Sequence, residues 1–540
     1  MNTELQIPVL DLVIIIVYLV GIVVIGILST RKLKLNSDNY FLAGRGLKWG
    51  MIGAALFASN ISTIHLVGLA ASGYNEGLVW GNFEWMATFT LILLGLVFAP
   101  FYFRSKISTL PEFLEKRYGP GSRTFLAFMA ILGALFIHIG MSLYAGAAVF
   151  QQFFGINVIT SIIIISIITA IYTVLGGLKA VVVTESIQTV LLLVGAVLVT
   201  LFAILALPEH GIHSFAEFKE ALRPGQLSMI HSDNTSGLAW YAILLGYPVL
   251  GVWYWCSDQT IVQRVLGAKT QRDAQLGPLF AGLLKILPVF ILVLPGVIAY
   301  VLFKDVIGTN SNQTLPVLIC ELIQTGLKGL ISAGLLAALM STIAAALNSS
   351  ATLVAVDIVK RIRPETSDEN QVKIGRIAAI GIMILAMFWS TQGGRYSSIF
   401  EAINAIAADL APPVTTVFIF GVFWKRGTKQ ASLATLVFGF TLGAIAFAID
   451  LPLFGNEKII TTGWGIPFMM QAWWLFVICS VLFVVVSLMT PKPALQNIEG
   501  LTWDNPIHVI TKGKISGISD PRILAGGLFL LMAILYYFLN

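Results

Sequence analysis

Charge is scarce in this chain. Asp, Glu, Lys and Arg make up 11% of its 540 residues, against roughly 25% in soluble globular domains. Such a sequence cannot cover a water-facing surface in the usual way. Cysteine is also rare: Cys256, Cys320 and Cys479 are the three, an odd number with each in or beside an apolar stretch. That excludes a disulfide scaffold and any zinc-like Cys spacing. The six histidines (His65, His138, His210, His213, His231 and His508) show no metal spacing, and neither GxSxG nor HExxH occurs. An intramembrane enzyme would need such a nucleophile, base or ligand set. The first apolar segment lacks a basic leader and a small-residue cleavage site, so it is expected to stay as a helix rather than leave as a signal peptide.

What the chain has in abundance is long apolar segments. It is 57% hydrophobic, its mean hydropathy is +0.87, and mostly apolar runs of helix-spanning length recur from end to end. The composition predicts an all-α polytopic membrane protein with about fourteen spans. These are Val9–Leu28, Gly50–Tyr74, Phe83–Phe103, Phe125–Phe150, Ile156–Val174, Val181–Leu207, Leu238–Cys256, Leu279–Phe303, Leu330–Val359, Ile377–Ser390, Ile399–Phe423, Leu433–Ile449, Trp473–Met489 and Ile523–Leu539. Loops after the odd-numbered spans hold 26 of the 33 Lys and Arg residues, six lie on the opposite side, and Lys285 is inside a span. The positive-inside rule therefore places the basic loops in the cytoplasm and both termini outside, in the plasma or inner membrane. The net charge of +6 is thus a topology signal, with no nucleic-acid partner implied. The exterior loop Pro208–Gly237 is expected to carry a short amphipathic helix around Phe215–Leu222, and Asn234 and Asn312 head formal glycosylation sequons.

Polar residues that interrupt this pattern point to a cavity, because unsatisfied polar groups at lipid depth cost several kcal/mol. The run Trp253–Arg264 reads WYWCSDQTIVQR. Aromatic faces beside an acid and an amide suit a polyhydroxylated ring, whose CH groups stack while its hydroxyls pair. Span 2 carries FASNISTIHLVG (Phe57–Gly68), and span 7 carries Gly246–Gly251 with Pro248, which removes a backbone donor. Two interrupted helices in matching positions of two halves mark a secondary transporter's binding site; tighter helix packing by small residues is the plainer alternative. In span 9, Ser341 and Thr342, with carbonyls near Ala58, Ile61 and Ala338, would offer about five neutral oxygens, as a dehydrated monovalent cation requires. Lys285 either snorkels to the cytoplasmic end or serves as a donor to substrate or partner to Glu84. Glu401 and Asp409 fit either an interface or a site, and Pro412-Pro413 is expected to break span 11 and form a hinge or gate.

Together these residues resemble the sodium/solute symporter family, in its sodium–glucose cotransporter branch. YFLAGR (Tyr40–Arg45), FASNIS with His65, FEW, WYWCSDQ, LKILP and FWKR (Phe423–Arg426) recur in the family's order over nearly the whole chain. The resemblance implies a leucine-transporter-type fold of five-plus-five inverted repeats. Residues 1–49 would be an extra helix and loop, 50–207 the first repeat, 208–237 the exterior loop, 238–423 the second repeat, and 424–540 three closing helices. It implies substrate contacts at Asn60, His65, Glu84, Trp253, Tyr254, Trp255, Gln259, Lys285 and Asn404, with Tyr254 closing the cytoplasmic side. It implies a sodium site on the carbonyls of Ala58, Ile61 and Ala338 and the hydroxyls of Ser341 and Thr342.

Three departures stand out. Asn404 replaces a Gln, and Gly251 replaces a Thr or Asn; each enlarges the pocket or removes a hydrogen bond. Glu185 replaces an Asp, and Ala344 and Ala345 stand where members with a second sodium site use hydroxyls, so one sodium is expected. The expected activity is sodium-coupled inward symport of a neutral hexose by alternating access. The alternatives are myo-inositol or sialic acid as substrate, or a sensor that binds sugar without transporting it. A channel would need a polar stripe along several helices, whereas these polar residues concentrate at mid-depth. No enzyme activity and no obligate protein partner are expected; the partners are sugar, sodium and the lipid bilayer.

Overall fold

A computed structural model describes residues 8–34, 36–232, 237–391, 399–450, 459–503, 505, 508–511, 515 and 517–540. The Asn234 sequon, Arg395, Lys458, Lys512, Lys514 and the side chain of Glu401 lie outside the described residues. The regular structure among those residues is helical, with isolated bridges only at Leu47–Ala268 and His231–Ala239. The principal helices are α1 (Val9–Thr30), α2 (Trp49–Asn60), α3 (Thr63–Glu76), α4 (Leu78–Arg104), α5 (Pro120–Gln151), α6 (Val158–Ala206) and α7 (Trp240–Gly251). They continue as α8 (Gln271–Ile307), α9 (Leu327–Thr352), α10 (Asp368–Ser390), α11 (Ile399–Phe423), α12 (Lys429–Ile449), α13 (Phe468–Met489) and α14 (Pro521–Phe538). Among the described residues eleven helices are long and apolar enough to cross a membrane, twelve if α2 and α3 form one bent span.

That count falls short of fourteen for two physical reasons. The 49 residues of α6 would run about 74 Å if straight, far beyond a bilayer's apolar core of about 30 Å. Gly177 (φ 62°, ψ −158°) breaks the helical path there. A Cβ at Gly177 would come within 2.4 Å of the Tyr40 carbonyl oxygen, so the YFLAGR segment packs into the break. The second reason is the polar WYWCS half of the stretch that α7 opens, which makes that stretch less apolar than its neighbours.

Small residues let the central helices touch. A Cβ at Gly53 of α2 would meet the Gly277 carbonyl of α8 at 2.7 Å, and one at Gly296 of α8 would meet the Ala70 carbonyl of α3 at 2.0 Å. Such close backbone approach is how helices associate where no water is available to drive burial. Helix α9 is the core: nearly every residue from Gly329 to Thr352 is buried. Large apolar side chains stay exposed on the outer helices, such as Val17, Phe388 and Val481, as a lipid-facing surface requires. The exterior-loop helix falls at Phe215–Glu220, where Ser214 accepts the Glu217 amide as its N-cap.

Two expected helix breaks are located differently. Pro248 lies inside α7, which runs on through a π-helical turn at Val252–Ser257; the break comes at Asp258 (φ −84°, ψ 124°). There Asp258 caps the next helix, Gln259–Leu266, by accepting the Thr260 amide at 2.6 Å. Likewise α11 passes through Pro412 and Pro413 without ending. The Asp409 carbonyl, which Pro413 deprives of its helical donor, packs so closely on Gly443 that a Cβ there would come within 2.1 Å. Helix α12 thus supports α11 where a hinge was expected.

Candidate functional site

The break between α2 and α3 creates the site. Ile61 and Ser62 are extended (φ −78°, ψ 101° and φ −98°, ψ 173°), and the two helices diverge by 62°. His65 steadies the restart of the helix: its Nδ1 accepts the Ser62 amide at 3.3 Å and lies 3.0 Å from the Ser62 hydroxyl. The turn ends free Asn60 and His65 to face a cavity of about 940 Å³, open solvent at its mouth included. Helix α4 supplies Phe83 and Glu84, the stretch after α7 supplies Trp253, Tyr254 and Trp255, α8 supplies Lys285, and α11 supplies Asn404.

Lys285 organises the polar floor. Its side chain is 1% exposed, so it does not snorkel. Its ammonium donates to Asn60 Oδ1 and Glu84 Oε2 and sits 5.3 Å from the Trp255 ring centroid, a cation–π distance. Three helices are tied together by one cation. Because an ammonium has three protons, these two contacts leave one for another acceptor. The aromatic rings are held edge to face, Trp253 to Tyr254 at 6.0 Å and Tyr254 to Trp255 at 5.1 Å.

Eight of the nine expected substrate contacts line this one cavity; Gln259 does not. Its Oε1 accepts the Leu110 amide at 2.8 Å, and its side chain lines a neighbouring cavity. The reason is the break at Asp258, which turns the following helix away from the first cavity. The first cavity also takes Phe83, His138, Ser142 and Tyr247, which the motif-based reading leaves out. His138 and Ser142 are spaced i, i+4 in an otherwise apolar stretch of α5, a readable signal of one polar helix face. Tyr247 donates to the Phe83 carbonyl at 2.8 Å, which no sequence spacing announces.

Gly251 lines the cavity but does not enlarge it as a simple deletion would. A Cβ there would meet Thr90 Cγ2 at 2.6 Å and Tyr247 Cε1 at 2.9 Å. The room a larger residue would use is already filled from α4 and α7.

Beside the cavity, α9 meets α2 through a set of neutral oxygens. The Ser341 hydroxyl donates to the Ala58 carbonyl at 2.8 Å and the Ala338 carbonyl at 2.9 Å; Thr342 donates to Ser59 at 3.1 Å and Ala338 at 3.3 Å. These contacts engage the Ser59 carbonyl, while Ile61 stands two residues on at the break itself. No cluster of three or more His, Cys, Asp or Glu suited to a metal occurs among the described residues. Behind the oxygens, Glu185 is fully buried and pairs with Arg264 through its Nε at 3.0 Å and through Nη2; it also accepts from Ser59 at 3.2 Å. This ion pair therefore fixes the α2 end of the set.

The comparisons agree with this architecture. The model of the sodium:solute symporter family matches residues 40–439. The Bos taurus sodium/mannose cotransporter is 35% identical over 94% of this chain and 92% of its own length. The human sodium/myo-inositol cotransporter is 33% identical over 95% and 77%, and the Oryctolagus cuniculus sodium/glucose cotransporter 1 is 32% identical over 91% and 81%. A solved sodium-coupled sialic acid symporter shares the fold with a TM-score of 0.76 at 20% identity, covering 90% of this chain and 99% of that one. A broken helix facing a cavity lined by aromatics, a family match across most of the chain and relatives aligned over nearly all of it lead to one conclusion: this chain belongs to the sodium:solute symporter family.

Proposed function

We propose that this chain carries a neutral polyhydroxylated ring, a hexose or a cyclitol, inward with one sodium ion by alternating access. The observation that carries this reading is the pairing of Lys285 with Glu84 in a cavity walled by Trp253, Tyr254 and Trp255. Aromatic faces would stack on the ring; Asn60, His65, Glu84, Lys285 and Asn404 would meet its hydroxyls. Because Lys285 is already neutralised by Glu84, an acidic substrate such as sialic acid would have to compete for it. Relatives named for mannose, myo-inositol and glucose support a neutral ring and leave its identity to the cavity's shape.

Sodium is a co-substrate here. The carbonyls of Ala58, Ile61 and Ala338 and the hydroxyls of Ser341 and Thr342 are its proposed ligands, to which the geometry adds the Ser59 carbonyl. Ala344 and Ala345 offer no hydroxyls for a second ion. One ion suffices: a charge crossing 100 mV is worth about 2.3 kcal/mol and a tenfold gradient about 1.4 kcal/mol, together roughly 500-fold accumulation. The reading includes fourteen spans arranged as five-plus-five inverted repeats, basic loops in the cytoplasm and both termini outside. The count of fourteen takes α2 with α3 as one bent span, splits α6 at Gly177 and admits the α7 stretch. A competition panel of hexoses, inositols and sialic acid against sodium-driven uptake in proteoliposomes tests it. Inhibition by neutral rings supports the reading, and selective inhibition by sialic acid overturns it. Sodium-dependent binding without uptake would instead favour the sensor.

A further inference from the structure

A second cavity, of about 1250 Å³ with open solvent at its mouth included, lies between α5, α11 and α12 and the Asp258 break. It shares Ile137, His138 and Trp253 with the first cavity. Two of its lining residues reach the molecular surface: Phe136 is 39% exposed and Ala444 is exposed. Most of its wall is apolar, from Leu126 and Met129 of α5 to Phe440 and Phe447 of α12.

Two buried polar side chains in this wall are incompletely satisfied. Asp409 is 4% exposed and Gln259 2% exposed. No hydrogen bond or ion pair reaches the Asp409 carboxylate among the described residues, and its Oδ1 is fully enclosed. Gln259 spends its oxygen on Leu110 and leaves Nε2 without an acceptor. The remaining acid, Asp258, is occupied by Thr260 and His138. A buried carboxyl group without a counter-charge takes up a proton unless a cation pairs with it, and an ammonium on an apolar chain would supply that cation in an apolar chamber.

We propose that this chamber binds a protonated alkylamine drawn from the bilayer, its ammonium on Asp409 and its chain along α5 and α12. Occupancy stiffens the wall formed by Ile137, His138 and Trp253, so transport slows without direct competition for the sugar. The proposal rests on the second cavity's own geometry; its binding half stands whichever substrate the first cavity takes.

The test uses N,N-dimethyldodecylamine bearing a diazirine on its chain, irradiated with the full-length protein in proteoliposomes, the labelled peptides being mapped by mass spectrometry. Labelling is expected within residues 126–137 or 440–447, and to fall at least about tenfold in Asp409→Asn and with the neutral dodecanol analogue, given what charge-assisted hydrogen bonds contribute. Ala444→Trp, which plugs the mouth and leaves the carboxylate in place, is expected to abolish labelling even where Asp409→Asn fails to fold. Sodium-driven uptake is expected to fall in step with labelling at unchanged apparent sugar affinity. Equal labelling of Asp409→Asn or by the alcohol overturns the site, and so does full labelling of Ala444→Trp. Labelling with no change in uptake overturns the coupling.

Discussion

Removing Lys285 should do two separable things. Lys285→Met takes the ammonium away from Glu84 and Asn60 and leaves a buried carboxylate unpaired, since Glu84 is 2% exposed. Breaking one side of a buried ion pair costs about 3–5 kcal/mol, whereas replacing both partners is often near neutral. The single variant should therefore unfold at markedly lower temperature, and Lys285→Met with Glu84→Gln should recover most of that loss. Transport should not recover. The proposed function gives the third ammonium proton to substrate, and a charged hydrogen bond contributes about 1.5–3 kcal/mol, or roughly 10- to 150-fold in apparent sugar affinity. Sodium affinity should stay near the parent value, because the oxygens on α9 do not touch Lys285. Thermal unfolding in detergent beside sodium-driven uptake of tritiated sugar reads both effects. A double variant that regains stability and transports normally would falsify the substrate role; one as unstable as the single variant would refute the pairing argument.

Other substitutions probe the neighbouring geometry. Ser341→Ala and Thr342→Ala each remove a hydroxyl facing α2 and should raise the sodium concentration for half-maximal uptake about tenfold, close to the net value of one hydrogen bond, with sugar affinity at saturating sodium little changed. Gly251→Ala should destabilise by about 1–3 kcal/mol through overpacking against Thr90 and Tyr247; adding Thr90→Ser, which removes Cγ2, should restore part of the loss in a thermal melt. Gly443→Ala should lower both stability and uptake, since its Cβ would meet the Asp409 carbonyl and push α12 off α11; unchanged melting would contradict the close approach. Arg264→Met should destabilise by about 3–5 kcal/mol by stranding Glu185, and a silent result would mean that the pair does not hold α2.

Much of this molecule is legible in its sequence because lipid punishes exceptions. Asn60, His65 and Lys285 stand out in apolar helices, and each lines the one cavity. The Ser341 and Thr342 hydroxyls on α9, proposed as sodium ligands, are legible for the same reason. What escapes the sequence depends on where backbones turn. Pro248, Pro412 and Pro413 read as breaks, yet the helices run on through all three, and the second break comes at Asp258. That single displacement sends Gln259 to another cavity. Gly251 reads as space, and only the packing of Thr90 and Tyr247 shows it filled. His138 shows its i, i+4 partner Ser142 in the sequence but not the Asp258 carboxylate 3.2 Å away, which depends on tertiary contact.

The most direct measurement compares initial rates of labelled hexose or inositol entry into proteoliposomes under an inward sodium gradient and under an equal choline gradient. The account predicts concentrative uptake with sodium, and with choline no more than slow equilibration. Equal rates in both would mean that the oxygens between α2 and α9 do not couple an ion to the cavity beside them.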